Sequence, residues 1–216
     1  MFGVLAVLFI AFPQIDLAAS GLFYRGDGQW LIHRDNFWLA IPYRGLPRLG
    51  QGLLGLLLVL WALSFLRAFP KLRVRRAAIG FLLVGGLLGP VLLVDATLKE
   101  HSGRTRPINI AQFGGSKQFT PAFIPADQCE KNCAFVSGHV ATASFIMAFG
   151  WLGAPAVRRR WLLASLAFGS FMALVRISPG GHFLSDTIFA WFATYFSLWF
   201  TEWLFRKQGW LPPRSD

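Results

Sequence analysis

Six long apolar runs, separated by loops that carry most of the charge, constrain the fold of this chain more than any other feature. They extend over 2–23, 49–66, 77–98, 137–154, 162–178 and 183–205. Each is close to the roughly 20 residues that a helix needs to cross a bilayer. The first is interrupted by Pro13 and Asp16. The pattern predicts an all-α, polytopic membrane protein with six transmembrane helices in a single domain over 1–216.

Composition supports a membrane setting and argues against nucleic acid as a partner. Hydrophobic residues make up 55% of the 216 residues and charged residues only 14%, which leaves too little polar surface for a soluble domain of this size. The net charge of +11 comes from basic residues between the apolar runs, not along one amphipathic face. We therefore expect the lipid bilayer, and not DNA or RNA, to be the partner. No signal-peptide pattern stands near Met1, so we expect the first run to be retained.

The distribution of basic residues predicts the orientation of the spans. The loops after the second and fourth spans and the C-terminal tail, which includes Arg214, hold 11 of the 21 Lys and Arg residues, against only Glu202 and Asp216. By the positive-inside rule these segments face the cytoplasm. Both termini are then cytoplasmic, and the loops 24–48 and 99–136 lie outside. The loop 24–48 either lies in the outer interface or is an ordinary connection.

Three polar clusters share the outer side in this topology. The third span ends in LKEHSGRTRP, the fourth begins with VSGH, and VRISPGGHFLSD joins the fifth span to the sixth. An ionisable side chain at the centre of a membrane helix costs about 2.5–3.5 kcal/mol, and less at a helix end. A single Lys at such an end is commonly explained by snorkelling. Three clusters that converge on one surface favour a functional site instead.

The residue types in these clusters fit phosphoryl transfer. Lys99, Arg106 and Arg176 offer three positive charges, and the two guanidinium groups match phosphate oxygens. Ser137 and Gly138 stand at a predicted helix start, where backbone N–H groups and the helix dipole favour an anion. Glycine at this position lets the backbone come close to a ligand.

Two histidines and an aspartate complete the set. His182 and Asp186 are four residues apart and so share one face of a helix. A carboxylate beside an imidazole fixes its tautomer and strengthens it as a nucleophile or base, and His139 is free to act as general acid. Two His and one Asp also suit a metal ion, but three adjoining cations and the scarcity of further carboxylates or thiolates disfavour one. We expect neither a metal nor a cofactor.

The spacing of these residues resembles that of the type 2 phosphatidic acid phosphatase (PAP2) superfamily, which includes membrane lipid phosphatases, soluble acid phosphatases and vanadium haloperoxidases. The similar segments are Lys-x6-Arg-Pro at 99–107, Val-Ser-Gly-His at 136–139 and Val-Arg-x5-His-x3-Asp at 175–186. Val136 replaces the usual proline of the second motif, and Val175 replaces the usual serine of the third. The second change removes a hydroxyl that can touch phosphate. The resemblance implies a PAP2-type helical bundle.

The resemblance also implies a role for each motif residue. His182 would attack phosphorus to form a phosphohistidine, Asp186 would orient it, and His139 would protonate the leaving oxygen. The groups that would hold the phosphate are Lys99, Arg106, Ser137, Gly138 and Arg176. Beside the first motif, Arg104 and His101 either contact substrate or belong to a solvated loop.

The segment between the first two motifs looks most like that of bacterial lipid A phosphatases within the superfamily. This likeness implies a bacterial cytoplasmic (inner) membrane protein whose site faces the periplasm and whose substrate is a lipid phosphate or diphosphate, lipid A first. Phosphatidylglycerol phosphate and undecaprenyl diphosphate are alternative substrates, and transfer of phosphate between lipids is an alternative reaction. A lipid transporter or scaffold without catalysis is a more distant alternative. The oligomeric state is not indicated.

The chain has two cysteines, Cys129 and Cys133, four residues apart in the long outer loop. In an oxidising compartment we expect a disulfide that would pin this loop above the site. Two free thiols are the alternative, because a short loop gains little from closure.

Overall fold

The computed structural model describes residues 1–33 and 36–212 and is mostly helical. Arg34, Arg214 and Asp216, which belong to the loops and tail considered above, lie outside the described residues. The helices are α1 Phe2–Ala11, α2 Gln14–Gly21, α3 Phe37–Leu63, α4 Pro70–Val74, α5 Arg76–Gly86, α6 Lys99–His101, α7 Gly138–Ser144, α8 Ala148–Trp151, α9 Pro155–Ile177 and α10 Leu184–Lys207. Two short antiparallel strands, β1 Tyr24–Gly26 and β2 Gln29–Trp30, form a hairpin after α2.

Short non-α segments join several of these helices. Leu87–Leu98 is π-helical and makes one continuous helix of α5 and α6. Pro90 lies inside it and removes one i→i−4 hydrogen bond, which favours the wider pattern. A 3₁₀ turn at Phe145–Met147 joins α7 to α8, and two more, Pro107–Asn109 and Ala111–Phe113, lie in the long loop before α7.

Within the described residues, three helices are long and apolar enough to cross a membrane. They are α3, the continuous helix Arg76–His101 and α9. The pair α1 and α2 would be a fourth if it forms one broken span, but the two helices meet at 85°. The run 138–151 would extend only about 21 Å, short of a hydrocarbon core of about 30 Å. Helix α10 is 24 residues long, but its Ser, Thr, Trp and charged residues lower its mean hydropathy. Six spans therefore stay a prediction.

Two boundaries differ from the sequence-based expectation. Residues 37–48, expected in a loop, form the first turns of α3, because the Asn36 side chain accepts a hydrogen bond from the Trp38 amide (3.0 Å) and begins the helix. The basic run 158–160, expected between two spans, lies in the first turns of α9. Both helices are thus longer at their N-terminal ends than the apolar pattern indicates.

Helix α7 lies at the centre of the fold, against α3, α9, α10 and the π-helical segment. Its Val140, Ala141 and Ala143 side chains are buried, and their small size lets the neighbouring helices approach closely. By contrast, Leu57 is the one buried residue among those of α3, while Leu56 is exposed with many other apolar side chains of that helix. Such an apolar outer surface fits contact with lipid.

Candidate active site

The three motifs meet at the N-terminal ends of α7 and α10 through backbone contacts. The Ser137 amide donates to the Asp186 carbonyl (3.0 Å), and the Ala134 amide donates to the Arg104 carbonyl (2.8 Å). The Cys133 amide donates to the Lys99 carbonyl (2.9 Å). The segment that leads into α7 therefore lies between the end of the third predicted span and the start of α10.

His182 is fully buried, and both groups near its Nδ1 are hydrogen-bond acceptors. Nδ1 is 2.8 Å from the Ala134 carbonyl oxygen and 3.5 Å from Asp186 Oδ2. Since only an N–H suits two acceptors, we assign the proton to Nδ1, which leaves the lone pair on Nε2. Burial lowers the pKa of His182 well below its usual value, and the positive charges of Arg176 and Arg106 lower it further. The imidazole is therefore neutral near pH 7.

Asp186 faces His182 as its spacing predicts, but its closest partners are other groups. Its Oδ1 accepts from Arg104 Nη1 at 2.5 Å, and its Oδ2 accepts from the Phe183 amide at 2.8 Å. The closer acceptor for His182 Nδ1 is the Ala134 carbonyl oxygen, which the sequence motifs do not identify. A main-chain oxygen and a side-chain oxygen thus both fix the position of this imidazole.

His139 is held by Tyr43 of α3. Its Nε2 is 2.9 Å from the Tyr43 carbonyl oxygen, and the two rings stack with centroids 4.8 Å apart and planes within 7°. The Arg176 guanidinium lies 4.6 Å from the centroid of the same tyrosine ring. Tyr43 therefore contacts one imidazole and one cation of the candidate site. Sequence reasoning missed it, since the residue falls in the expected loop 24–48.

Two of the three motif cations line a small cavity of 190 Å³. Its lining includes Arg106 and Arg176 of the motifs, Tyr43 and Arg44 of α3, and Val175. Arg44 is exposed and adds a further positive charge that the motifs do not contain. The valine lines the cavity at the position where the resemblance leads us to expect a serine.

Ser137 is the N-cap of α7, but its hydroxyl makes no cap bond. Its buried Oγ has no hydrogen-bond partner within residues 1–33 and 36–212. A serine at this position usually bonds an amide of the first turn. Here both the hydroxyl and those amides remain to bind a ligand, which fits an anion at the start of the helix.

Gly138 lies close to the side chains of the preceding motif helix. A Cβ at this position would collide with Asp95 Oδ1 and stand 3.5 Å from Lys99 Nζ. Asp95 and Lys99 form a local charge pair, with 3.3 Å between Oδ1 and Nζ. The structure shows close approach of this pair to the Gly138 backbone, and close approach of a ligand stays a prediction.

The two residues beside the first motif are placed differently. Arg104 is 1% exposed, and Nε, Nη1 and Nη2 all donate to protein groups, so it belongs to neither a solvated loop nor the lining of the cation cavity. His101 is exposed, and its Nδ1 is 2.8 Å from the Thr97 carbonyl of its own helix. Arg104 lies in a loop, but the loop is not solvated at this position, because the guanidinium binds carboxylates inside the protein.

The long loop before α7 carries a Cys129–Cys133 disulfide with Cα atoms 5.7 Å apart, as the sequence predicts. Because the Cys133 amide binds the Lys99 carbonyl, this closed loop is attached directly to the end of the helix that bears Lys99.

Comparison with known proteins gives a consistent result. The family model described as PAP2 superfamily matches residues 77–210, which include all three motifs. The chain is 33% identical to the lipid A 4'-phosphatase of Francisella tularensis subsp. novicida over 197 residues, 89% of this chain and 87% of that protein. It is also 33% identical to the lipid A 4'-phosphatase of Rhizobium leguminosarum, over 90% of this chain and 88% of that protein. The identity to the lipid A 4'-phosphatase of Rhizobium etli is 33% as well, over 88% of this chain and 79% of that protein. No solved structure gives a significant match.

Proposed function

Because this chain belongs to the PAP2 superfamily, we propose that it is a membrane lipid phosphatase that acts through a phosphohistidine on His182. The observation that carries the mechanism is the state of this imidazole. It is buried, which lowers its pKa and keeps it neutral near pH 7, and the two oxygens near Nδ1 assign the proton to that nitrogen, which leaves the lone pair on Nε2 for the attack. A neutral imidazole beside several fixed cations is suited to attack an anionic phosphate group.

In the first step, His182 Nε2 forms a bond to phosphorus while the bond from phosphorus to the lipid oxygen breaks. His139 gives a proton to that leaving oxygen, so the lipid departs as an alcohol. The Nδ1 proton of His182 stays between the Ala134 carbonyl and Asp186, whose oxygens stabilise the positive charge that develops on the ring. In the second step, water attacks phosphorus, His139 accepts its proton, the nitrogen–phosphorus bond breaks, and inorganic phosphate leaves.

The phosphate oxygens are held by fixed positive charges and N–H groups. We assign this role to Lys99, Arg106 and Arg176, with the Ser137 hydroxyl and the Gly138 amide at the start of α7. These groups are in place before the reaction, so they stabilise the charge of the transition state without having to reorganise. No step in this scheme needs a metal ion.

The proposal extends to topology and substrate. The whole chain forms one domain with six spans, both termini lie in the cytoplasm, and the site lies at the periplasmic face of a bacterial inner membrane. The support for this orientation is the basic residues of the loops on the opposite side. The substrate is a lipid A phosphate, as the names of three relatives suggest.

The test is phosphate release by the purified protein in detergent. Lipid A, phosphatidylglycerol phosphate, phosphatidic acid and undecaprenyl diphosphate are offered separately, and we expect the highest rate with lipid A. Excess chelator should leave this rate unchanged, and vanadate should block it as a phosphate mimic. Substrate loss without an equal amount of free phosphate would indicate transfer between lipids. No phosphate release from any of these lipids would refute the proposal.

A further inference from the structure

A buried network of charged groups lies beside His182, and the proposed steps do not use all of it. Arg104 stands between two carboxylates: its Nη1 is 2.5 Å from Asp186 Oδ1, and its Nη2 is 2.8 Å from Asp16 Oδ2. Ser185 links the same groups, because its hydroxyl donates to Asp16 Oδ2 at 2.5 Å and accepts from Arg104 Nη1 at 2.8 Å. Asp16 and Asp186 are 0% exposed.

Asp16 also completes the first turn of α10. The N-cap of this helix is Phe183, whose side chain has no hydrogen-bond acceptor. Asp16 Oδ1 accepts from the Ser185 amide at 2.8 Å, and Asp186 Oδ2 accepts from the Phe183 amide at 2.8 Å. An aspartate of α2 thus does for α10 what an N-cap side chain usually does within one helix.

We propose that Asp16 is a positioning residue of the active site. This inference rests on the proposed function. By binding Arg104 and the Ser185 amide together, Asp16 fixes the turn that carries Asp186, and so fixes the oxygen that faces His182 Nδ1. It lies outside residues 77–210, which the family model matches. The bent helix pair α1 and α2 therefore belongs to the catalytic unit.

The charges explain why this effect goes beyond packing. Arg104 has one positive charge and two carboxyl partners, Asp186 at Nη1 and Asp16 at Nη2. If asparagine replaces Asp16, Asp186 becomes the one carboxyl group that binds Arg104 among the described residues. The Asp186 carboxylate is then drawn toward the guanidinium and away from His182, whereas the cations of the cavity stay where they are.

The experiment compares Asp16→Asn with a matched buried carboxylate. Glu202, near the other end of α10, is 4% exposed and accepts from Trp151 Nε1 (2.8 Å) and Arg206 Nη2 (2.9 Å). We expect Asp16→Asn to lower kcat by about 10²-fold, the effect of misplacing a reacting group by roughly 1 Å, while KM and inhibition by vanadate change less than about twofold. Glu202→Gln should leave kcat within about twofold of wild type, even where it lowers the Tm as much.

Ser185→Ala is the milder second variant, because it keeps the amide and removes the hydroxyl that links Asp16 to Arg104. Its kcat should fall in the same direction by a smaller factor. Amide hydrogen exchange gives a readout without catalysis: the peptide that contains Phe183 and Ser185 should exchange faster in Asp16→Ala than in Glu202→Gln.

The outcomes separate the two proposals. Equal kcat in Asp16→Asn and Glu202→Gln, or a loss confined to KM and vanadate inhibition, overturns the role of Asp16 and leaves the phosphatase in place. A wild-type protein that releases no phosphate overturns the proposed function, and the catalytic role of Asp16 with it. If Asp16→Asn does not fold, an unchanged kcat in Ser185→Ala overturns the inference.

Discussion

At the scale of single residues, the two histidines of the site have different surroundings, so the consequences of removing them should differ. His182 has its Nδ1 between two oxygens and no other nucleophile replaces it in the proposed steps. His139 stacks on Tyr43, and its task is to give a proton to the leaving oxygen. Only this second task depends on how readily the lipid oxygen departs.

We expect His182→Ala to abolish turnover with every substrate and to leave no phosphoenzyme. His139→Ala should slow hydrolysis of a lipid phosphate by about 10²–10⁴-fold. A nitrophenyl phosphate, whose leaving group needs no proton, should recover much of that loss in His139→Ala and none of it in His182→Ala. Rapid quench with labelled substrate traps acid-labile, base-stable phosphate on the protein. Label on His139, or label at the wild-type level in His182→Ala, would contradict these assignments.

Gly138 gives a second prediction at this scale, because an added methyl group would collide with Asp95. Because the obstacle is the end of an exposed side chain, Gly138→Ala should displace the Asp95–Lys99 pair at a cost in stability of less than about 1 kcal/mol, and it should weaken inhibition by vanadate. In the double variant with Asp95→Ala the obstacle is gone, so vanadate should bind better than to Gly138→Ala alone. Asp95→Ala alone is the control that completes this double-mutant cycle. Equal inhibition of the single and double variants would show that the collision is not the cause.

At the scale of elements, the disulfide loop and the helix end below it form one unit. Closing such a short loop contributes about 2 kcal/mol by loop entropy. Its attachment to the Lys99 carbonyl passes that restraint to the residue that we expect to bind phosphate. We therefore expect the disulfide to restrain Lys99 as well as the loop.

Mass spectrometry of the native protein without reductant should find no free thiol at Cys129 or Cys133. The variant with both cysteines replaced by alanine should lose up to about 2 kcal/mol of stability and keep the nucleophile intact, since His182 makes no contact with either sulfur. Complete alkylation of both cysteines before reduction would refute the bridge without touching the enzyme proposal.

The elements also show what the sequence could predict and what it could not. The third apolar run, 77–98, agrees with the helix Arg76–His101 within a few residues, because apolar composition marks a span directly. The roles of Asp16 and Tyr43 could not be predicted, because their partners lie 88 and 96 residues away along the chain. The Arg104 guanidinium resembles any loop arginine until the fold places two carboxylates beside it. Spacing within a motif records neighbours on one helix, and it contains no information on contacts between distant helices.

At the scale of the whole molecule, the charge distribution predicts which side of the membrane each loop faces. Arg159→Cys and Lys117→Cys, both at exposed positions, each supply one reactive thiol. A membrane-impermeant thiol reagent should label Lys117→Cys from outside in intact cells and should label Arg159→Cys only after the inner membrane is opened. Labelling of both from the same side would contradict the topology and separate the proposed site from a periplasmic substrate.

Each histidine of the site has a ring nitrogen close to a main-chain carbonyl oxygen, that of Ala134 for His182 and that of Tyr43 for His139. A carbonyl is present whatever side chain its residue bears. Alanine scanning therefore cannot remove either carbonyl, although at position 43 it does remove the ring that stacks on His139. Replacing the amide that follows Ala134 by an ester would weaken that oxygen as an acceptor without altering any side chain. Chemical protein synthesis can therefore test how far the site depends on these carbonyl groups, whereas side-chain mutagenesis does not detect this dependence.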